Sequence, residues 1–384
     1  MKSNKQPEIR FPGFTEDWEQ RKLGEISVKV TQKNKDRIFN ETFTNSAEFG
    51  IISQNDFFDK QISNNKNIDG YYVVAPDDFV YNPRISNYAP VGPIKRNKLD
   101  KTGIMSPLYY VFKTIDIEPT FLEKYFDTVY WHKFMKLNGD SGARADRFAI
   151  KDSIFKEMPI PFPVTKEQIK IGDFFKSFDD TIALHQQELT ALKETKQGFL
   201  QKMFPKEGEK VPEIRFPGFT EDWEQHKLRE VLKVNSGRDY KHLNQGSIPV
   251  YGTGGYMLSV DDKLSEIDGI GIGRKGTIDK PQYLKAPYWT VDTLFYMTSF
   301  ENNDLLFLLT VSQKINWKRM DESTGVPSLS KTVIENVIQY FPVYDEQIKI
   351  GKFFKQLDET ITLHQRELDL LKETKKAFLQ KMFV

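Results

Sequence analysis

The chain has 384 residues with 55 basic against 54 acidic side chains and no cysteine, which excludes disulfides and thiolate metal centres. A net charge of +1 argues against a protein that holds nucleic acid by bulk charge alone, so any such contact must come from local patches or be shared with a partner. With a mean hydropathy of −0.54, no apolar run near ~18 residues and no signal-peptide pattern at MKSNKQPEIRF, a cytoplasmic protein without a membrane span is expected.

After a polar tail comes a head, residues 7–20 (PEIRFPGFTEDWEQ), in which Phe11-Pro12-Gly13-Phe14 reads as a turn and Trp18 as a core anchor. A polar stretch over 34–67 follows. Residues 71–75 and 78–81, bounded by Gly70 and Pro76, have strand length and composition, as does 108–112 (LYYVF). The loop 83–90 holds Arg84, Asn87 and Tyr88 between two prolines. The spacing over 121–137 predicts a helix, and 141–147 (SGARADR) a Gly-containing loop with Arg144 and Arg147.

Residues 167–204 then read EQIKIGDFFKSFDDTIALHQQELTALKETKQGFLQKMF, with apolar residues at a three-four spacing and Thr165 and Gln168 as a capping box. Residues 346–383 repeat the run at an offset of 179, identical at 28 of 38 positions. The head recurs letter for letter at 212–225, at an offset of 205, so the body between head and helix is 26 residues longer in the first half. The chain is therefore a duplication whose ends match and whose middles do not. Each helix has one apolar stripe, and the two are expected to pair as an intramolecular coiled coil. His185 and Lys196, with His364 and Lys375 in the copy, interrupt the stripe. Asp179 and Asp358 leave open whether each run is one helix or a short and a long piece.

The second body reads as more β-like, with strands over 248–252, 269–273 and 288–297 and a helix over 305–311. Gly271-Ile272-Gly273-Arg274-Lys275-Gly276 has the letters G-x-G-x-x-G, but a strand or turn closed by Pro281 follows instead of a helix. A hairpin turn offering Arg274 and Lys275, with Lys280 nearby, is the expected reading. No G-x-x-x-x-G-K-[ST] occurs, nor the glycine-rich loop and Asn/Asp-Pro-Pro-aromatic pair of a DNA adenine methyltransferase; Tyr81-Asn82-Pro83-Arg84 lacks the second proline and the aromatic. The five histidines, at 132, 185, 226, 242 and 364, show no ligand spacing, and no metal site is expected. Arg and Asn on Gly/Pro-framed loops are side chains suited to base edges; each is equally readable as ordinary solvated loop polarity.

The combination resembles the specificity (S) subunits of type I restriction-modification systems over nearly the whole chain. The resemblance rests on the two bodies, each followed by a near-identical helix that opens at Pro163-Val164-Thr165-Lys166-Glu167-Gln168 and at Pro342-Val343-Tyr344-Asp345-Glu346-Gln347. Tyr251-Gly252-Thr253-Gly254-Gly255, Gly273-Arg274-Lys275-Gly276 and residues 324–329 also look like family recognition-domain motifs, whereas the first body lacks the Gly-Arg-Lys-Gly turn. The resemblance implies an α/β (α+β) fold of two globular target-recognition domains joined by a pair of long antiparallel coiled-coil helices, a pseudo-twofold internal repeat. The expected boundaries are 1–165 and 212–344 for the recognition domains, 166–204 and 345–384 for the spacer helices, and 205–211 for a linker.

It further implies a non-catalytic subunit that binds no cofactor itself. Each domain would read half of a bipartite double-stranded DNA site through Arg84, Asn87, Tyr88, Arg144 and Arg147 in one, and Arg274, Lys275 and Lys280 in the other. Two methyltransferase subunits using S-adenosylmethionine would dock on the helices, where His185, Leu189, Leu192, His364, Leu368 and Leu371 are the expected contacts. Two restriction subunits using ATP and magnesium can add to these. A helix of 38 residues spans at most ~57 Å, and half-sites about one DNA turn apart, ~34–36 Å, would make the helices a ruler. Two other classes stay in view, an enzyme with a degenerate motif and a coiled-coil scaffold with no nucleic-acid role. Methylation by the isolated chain would reveal the first, and site selection with the reconstituted complex would expose the second.

Overall fold

Both heptad runs form single helices, Thr165–Lys202 and Tyr344–Lys381. Neither breaks at its Asp-containing segment. Asp179 does not compete for its own backbone, because its carboxylate takes bonds from Lys124 at 2.6 Å and Lys375 at 2.5 Å. Asp358 likewise takes Lys196 at 2.5 Å. The computed structural model describes residues 6–54, 68–140 and 146–384. They form two units, Met1–Leu184 with Leu368–Val384, and His185–Glu367, so each unit contains part of both helices.

In the first unit Phe174 and Phe178 meet Phe378 at ring centroids of 5.2 and 5.9 Å. In the second, Phe199 meets Phe353 at 5.1 Å. An early residue of one helix meets a late residue of the other in each unit, so the pairing is antiparallel. The polar interruptions at Lys196 and Lys375 are thus partners of the two aspartates, in repeat-related ion pairs across the seam.

The sheets are almost entirely antiparallel. The first body holds a four-stranded sheet in the order Ser27–Lys29, Tyr110–Thr114, Phe79–Tyr81, Ile94–Arg96. The second holds one in the order Leu232–Ser236, Leu294–Ser299, Gly269–Gly273, Gln282–Leu284, beside a three-stranded sheet built on the hairpin of Gln245–Gly252 and Gly255–Val260. The expected strand over 288–297 is two strands in different sheets, Trp289–Thr290 and Leu294–Ser299, because a turn closed by Leu294 N–H to the Val291 carbonyl separates them. The expected helix over 121–137 is also two, Pro119–Phe126 and His132–Asn138, with the Trp131 indole donating to the Phe126 carbonyl at the break.

One arrangement recurs in both units. The head strand Glu19–Lys22 pairs with Pro159–Phe162 just before the first long helix, as Glu224–Lys227 pairs with Ile338–Phe341 before the second. Arg10 then grips Glu167 through two bonds of 2.7 and 2.8 Å, and Arg215 grips Glu346 through two of 2.7 Å. Both carboxylates have 0% exposure. The capping box expected at Thr165 does not form. Gln168 instead accepts from the Glu118 amide and donates to the Pro163 carbonyl, as Gln347 does with the Asp304 amide and the Pro342 carbonyl. Glu118 and Asp304 are the N-caps of Pro119–Phe126 and Leu305–Lys314, so each glutamine ties a long helix to a helix of its body.

A second ionic cluster fixes the first unit. Lys124 is 2% exposed, and burial opposes its charge, yet Asp127, Glu123 and Asp179 outweigh burial and raise its pKa. Burial likewise pushes Asp127 up, but Lys95, Lys124 and Lys375 overcome it and hold the carboxyl at about 2. A depressed carboxyl stabilises fully above its unfolded value near ~3.9 and loses that contribution as pH falls through the folded value. Asp127→Asn should therefore flatten the acid limb of first-unit stability below pH ~4, read by fluorescence-monitored unfolding.

Removing Arg10 or Arg215 would leave a fully buried carboxylate without its cation, a loss that typically costs ~3–5 kcal/mol. Arg10→Ala should destabilise the first unit and Arg215→Ala the second by that order in urea denaturation, with each unit followed by its own limited-proteolysis fragments. A cost below ~1 kcal/mol for both would mean that this pair does not anchor the helices.

Candidate nucleic-acid interface

The first body leaves its sheet at Tyr81 and turns through a small ribbon. Arg84 and Arg147 are bridge partners, with Ile85 N–H donating to the Asp146 carbonyl at 2.9 Å and Phe148 N–H to the Pro83 carbonyl at 2.7 Å. Two loops 63 residues apart, counted from Arg84 to Arg147, thus bring two exposed arginines side by side. Reciprocal bonds of 3.1 Å between Ser86 and Ala89 close a two-residue hairpin with Asn87 and Tyr88 at its tip. Tyr88 is 78% exposed, far above what a core tyrosine shows. Arg144 lies outside the described residues.

The second body offers the counterpart. Gly269–Gly273 pairs with Gln282–Leu284, and the connecting loop carries Arg274, Lys275 and Lys280, all exposed. The letters G-x-G-x-x-G are therefore a strand and a hairpin turn, with Gly276 at φ +91°, where a side chain would be strained. Backbone bonds clamp this tip on two sides. Arg274 N–H donates to the Thr293 carbonyl at 2.8 Å, Gly276 N–H to Pro327 at 2.8 Å, and Leu329 N–H to Arg274 at 3.0 Å. The Arg274 guanidinium lies 5.8 Å from the centroid of Phe295.

Several residues of this surface went unread in the sequence. Asp321 organises the loop that clamps the tip, its carboxylate accepting from Ser323 N–H and Oγ and from Ser328 N–H. Those bonds from Ser328 and Ser323 hold its carboxyl below the usual carboxylate range. Tyr256, Met257 and Thr293 line an open groove beside the hairpin turn at Gly252–Gly255. The aromatic residues around that glycine turn were the available signal; Asp321 had none, because its partners depend on the loop's path.

What this arrangement can do follows from its donors. Guanidinium forks match guanine edges and phosphates, asparagine matches adenine, and an exposed tyrosine gives a flat apolar face. Because backbone bonds hold both loops, the side chains stay available.

The helix residues sort differently. Leu189 and Leu368 are each 1% exposed, so neither offers a surface to a partner. Their stripe is consumed within the chain, which is why an apolar periodicity cannot by itself mark a docking face. Leu192 and Leu371 are half-buried, as are His185 and His364, whose rings come within 6.1 Å. On the long helices, Leu184, Leu363 and Leu370 are exposed leucines. Among the described residues, no helix is long and apolar enough to cross a membrane.

Two mixed α+β bodies on repeated frames, each with basic and aromatic loops, make a duplicated two-domain architecture. The chain belongs to the type I restriction modification DNA specificity domain family, whose model matches residues 15–194 and 220–373. It is 23% identical over 318 residues to the type I restriction enzyme MjaVIII specificity subunit of Methanocaldococcus jannaschii, covering 73% of this chain and 70% of that one. Its fold is similar to the crystal structure of a type I restriction-modification S subunit from M. genitalium, with a TM-score of 0.69, 17% identity and 99% of both chains covered. It is also similar to a chain from a structural study of complex assembly and conformational transition in a type I R-M system, with a TM-score of 0.53, 15% identity and 98% and 99% covered.

Asp321→Ala should leave the second body's core intact while loosening the clamp on the hairpin tip. Amide exchange at Gly276 and Leu329 is expected to speed several-fold, with Ile270 and Ile272 unchanged. The brace should also weaken in acid, since a depressed carboxyl holds its bonds above the usual range and loses them as pH falls through the folded value.

Proposed function

We propose that this chain is the sequence-reading, non-catalytic subunit of a type I restriction-modification complex. Each unit reads one half of a bipartite DNA target in the major groove. The first does so with Arg84, Asn87, Tyr88, Arg147 and Arg144, the second with Arg274, Lys275 and Lys280. Two methyltransferase subunits, supplied with S-adenosylmethionine, methylate adenine at the site so chosen, and two ATP- and magnesium-dependent restriction subunits act on unmodified DNA. On the helices, docking falls to outward residues such as Leu184, Leu363 and Leu370.

The observation that carries this reading is the contrast between frame and loop. The Arg-Glu and Gln ties recur residue for residue in both units, while the exposed loops differ in sequence and length. A duplicated frame with unlike basic loops suits two unlike half-sites. The net charge of +1 is consistent with partners that share the grip on DNA.

Mapping of methylated adenines in cells carrying the complex tests the reading directly. Wild type should give one split motif. Arg274→Ala or Lys275→Ala should relax one half of it only, with a loss of ~1–3 kcal/mol in binding where a bidentate base contact is removed. A uniform loss over all sequences would assign these residues to phosphate. Methylation by the purified chain alone would overturn the non-catalytic reading.

A further inference from the structure

The two long helices carry the same pair of donors at one level, His185 with Glu188 and His364 with Glu367. A separation of three residues places each pair on one face of its helix. All four residues belong to the second unit. The antiparallel pairing brings the two pairs together: His185, His364 and Glu367 each offer one ligand atom, and these atoms all lie within 4.8 Å of one another. Glu188 Oε2 lies 4.0 Å from Nδ1 of His185 and 3.8 Å from Nδ1 of His364. Those distances exceed a hydrogen bond, and among the described residues neither buried Nδ1 atom has a hydrogen-bond partner. Two buried nitrogens that lack a hydrogen-bond partner among the described residues, with the Glu188 carboxylate just out of reach of both, are an arrangement that a shared ion would satisfy.

We propose that His185, Glu188, His364 and Glu367 bind one divalent transition-metal ion of the zinc class between the two helices. Two imidazoles with two carboxylates and no thiolate suit zinc better than calcium or magnesium, which take six or more oxygen ligands. Donors ~4–5 Å apart around a tetrahedron leave its centre ~2.4–3 Å from each, against ~2.0–2.2 Å for zinc to nitrogen or oxygen, so side-chain adjustments of up to about an ångström close the site. Di-metal carboxylate four-helix bundles likewise use a Glu and a His three residues apart on facing helices, in the order Glu-x-x-His. The ion would join residues 185–188 to 364–367 and fix their register. The histidines escape a linear search for ligand spacing because 179 residues separate the two half-sites.

The test uses the full-length chain without an affinity tag, stripped by a chelator and titrated with Zn2+ by calorimetry and with Co2+ by visible absorption. One Zn2+ per chain is expected, with a four-coordinate Co2+ spectrum that Zn2+ displaces. His185→Gln with His364→Gln should weaken Zn2+ binding by more than ~100-fold, since losing even an outer partner of a ligand typically costs ~10–100-fold. Glu367→Gln preserves the side-chain shape and should still weaken binding ~10-fold or more at unchanged helix content by circular dichroism. Replacing His132, His226 and His242 together should leave the site intact. No Zn2+ binding by the wild-type chain, unchanged affinity in the double-histidine variant, or loss of binding in the triple variant would each overturn the proposal. Unchanged affinity in Glu367→Gln with an octahedral Co2+ spectrum would also overturn it, by reducing the site to adventitious capture by two histidines.

Discussion

The structure depends on a buried carboxylate that must find a cation. Glu167 and Glu346 open the long helices at positions with no solvent, and a carboxylate there is tolerable only when paired and hydrogen-bonded. Arg10 and Arg215, from heads more than 130 residues upstream, meet that requirement in two-pronged geometry. The adjacent glutamine bonds the amide of a body helix's N-cap residue, so head, body and long helix converge on two consecutive side chains. One further turn along, Gly172 and Gly351 permit the close approach: a Cβ on Gly172 would lie 2.9 Å from Glu118 Oε2, and one on Gly351 2.6 Å from the Phe307 nitrogen. Such a junction has little tolerance for change, which gives a physical reason for heads and helices that repeat while the bodies do not.

Freedom in the bodies has a matching cause. The exposed loops are held by main-chain bonds, Arg84 to Arg147 in one unit and Arg274 to the 327–329 segment in the other. Main-chain bonds do not depend on side-chain identity, so the exposed loop residues can vary without disturbing the sheet beneath. The surface charge of such loops is local, and a chain with net +1 can carry it.

Along the seam, polar residues do what an all-apolar stripe could not. Lys196 with Asp358 and Lys375 with Asp179 pair across the helices at repeat-related levels, and a slip by one turn would separate each from its partner. The first unit adds Lys124 from its body to the Asp179 end, and the second adds Gln313 to Lys196, so equivalent helix positions are read differently by unlike bodies.

The sequence by itself determined the duplication, the two long helices, their mutual pairing and the hairpin nature of the Gly-Arg-Lys-Gly stretch. Those features are local or periodic, and identity between two halves of one chain is visible without coordinates. It also placed Trp18 in a core, as the structure does. What only the tertiary structure decided were contacts between distant segments: that Arg84 stands beside Arg147, that Asp321 holds the clamp, that Gln168 ties a body helix instead of capping its own, and that His185 faces His364. It also decided that Leu189 and Leu368 are spent inside the chain. Periodicity reports that a face is apolar, but which surface covers that face depends on chain paths that no window of sequence contains.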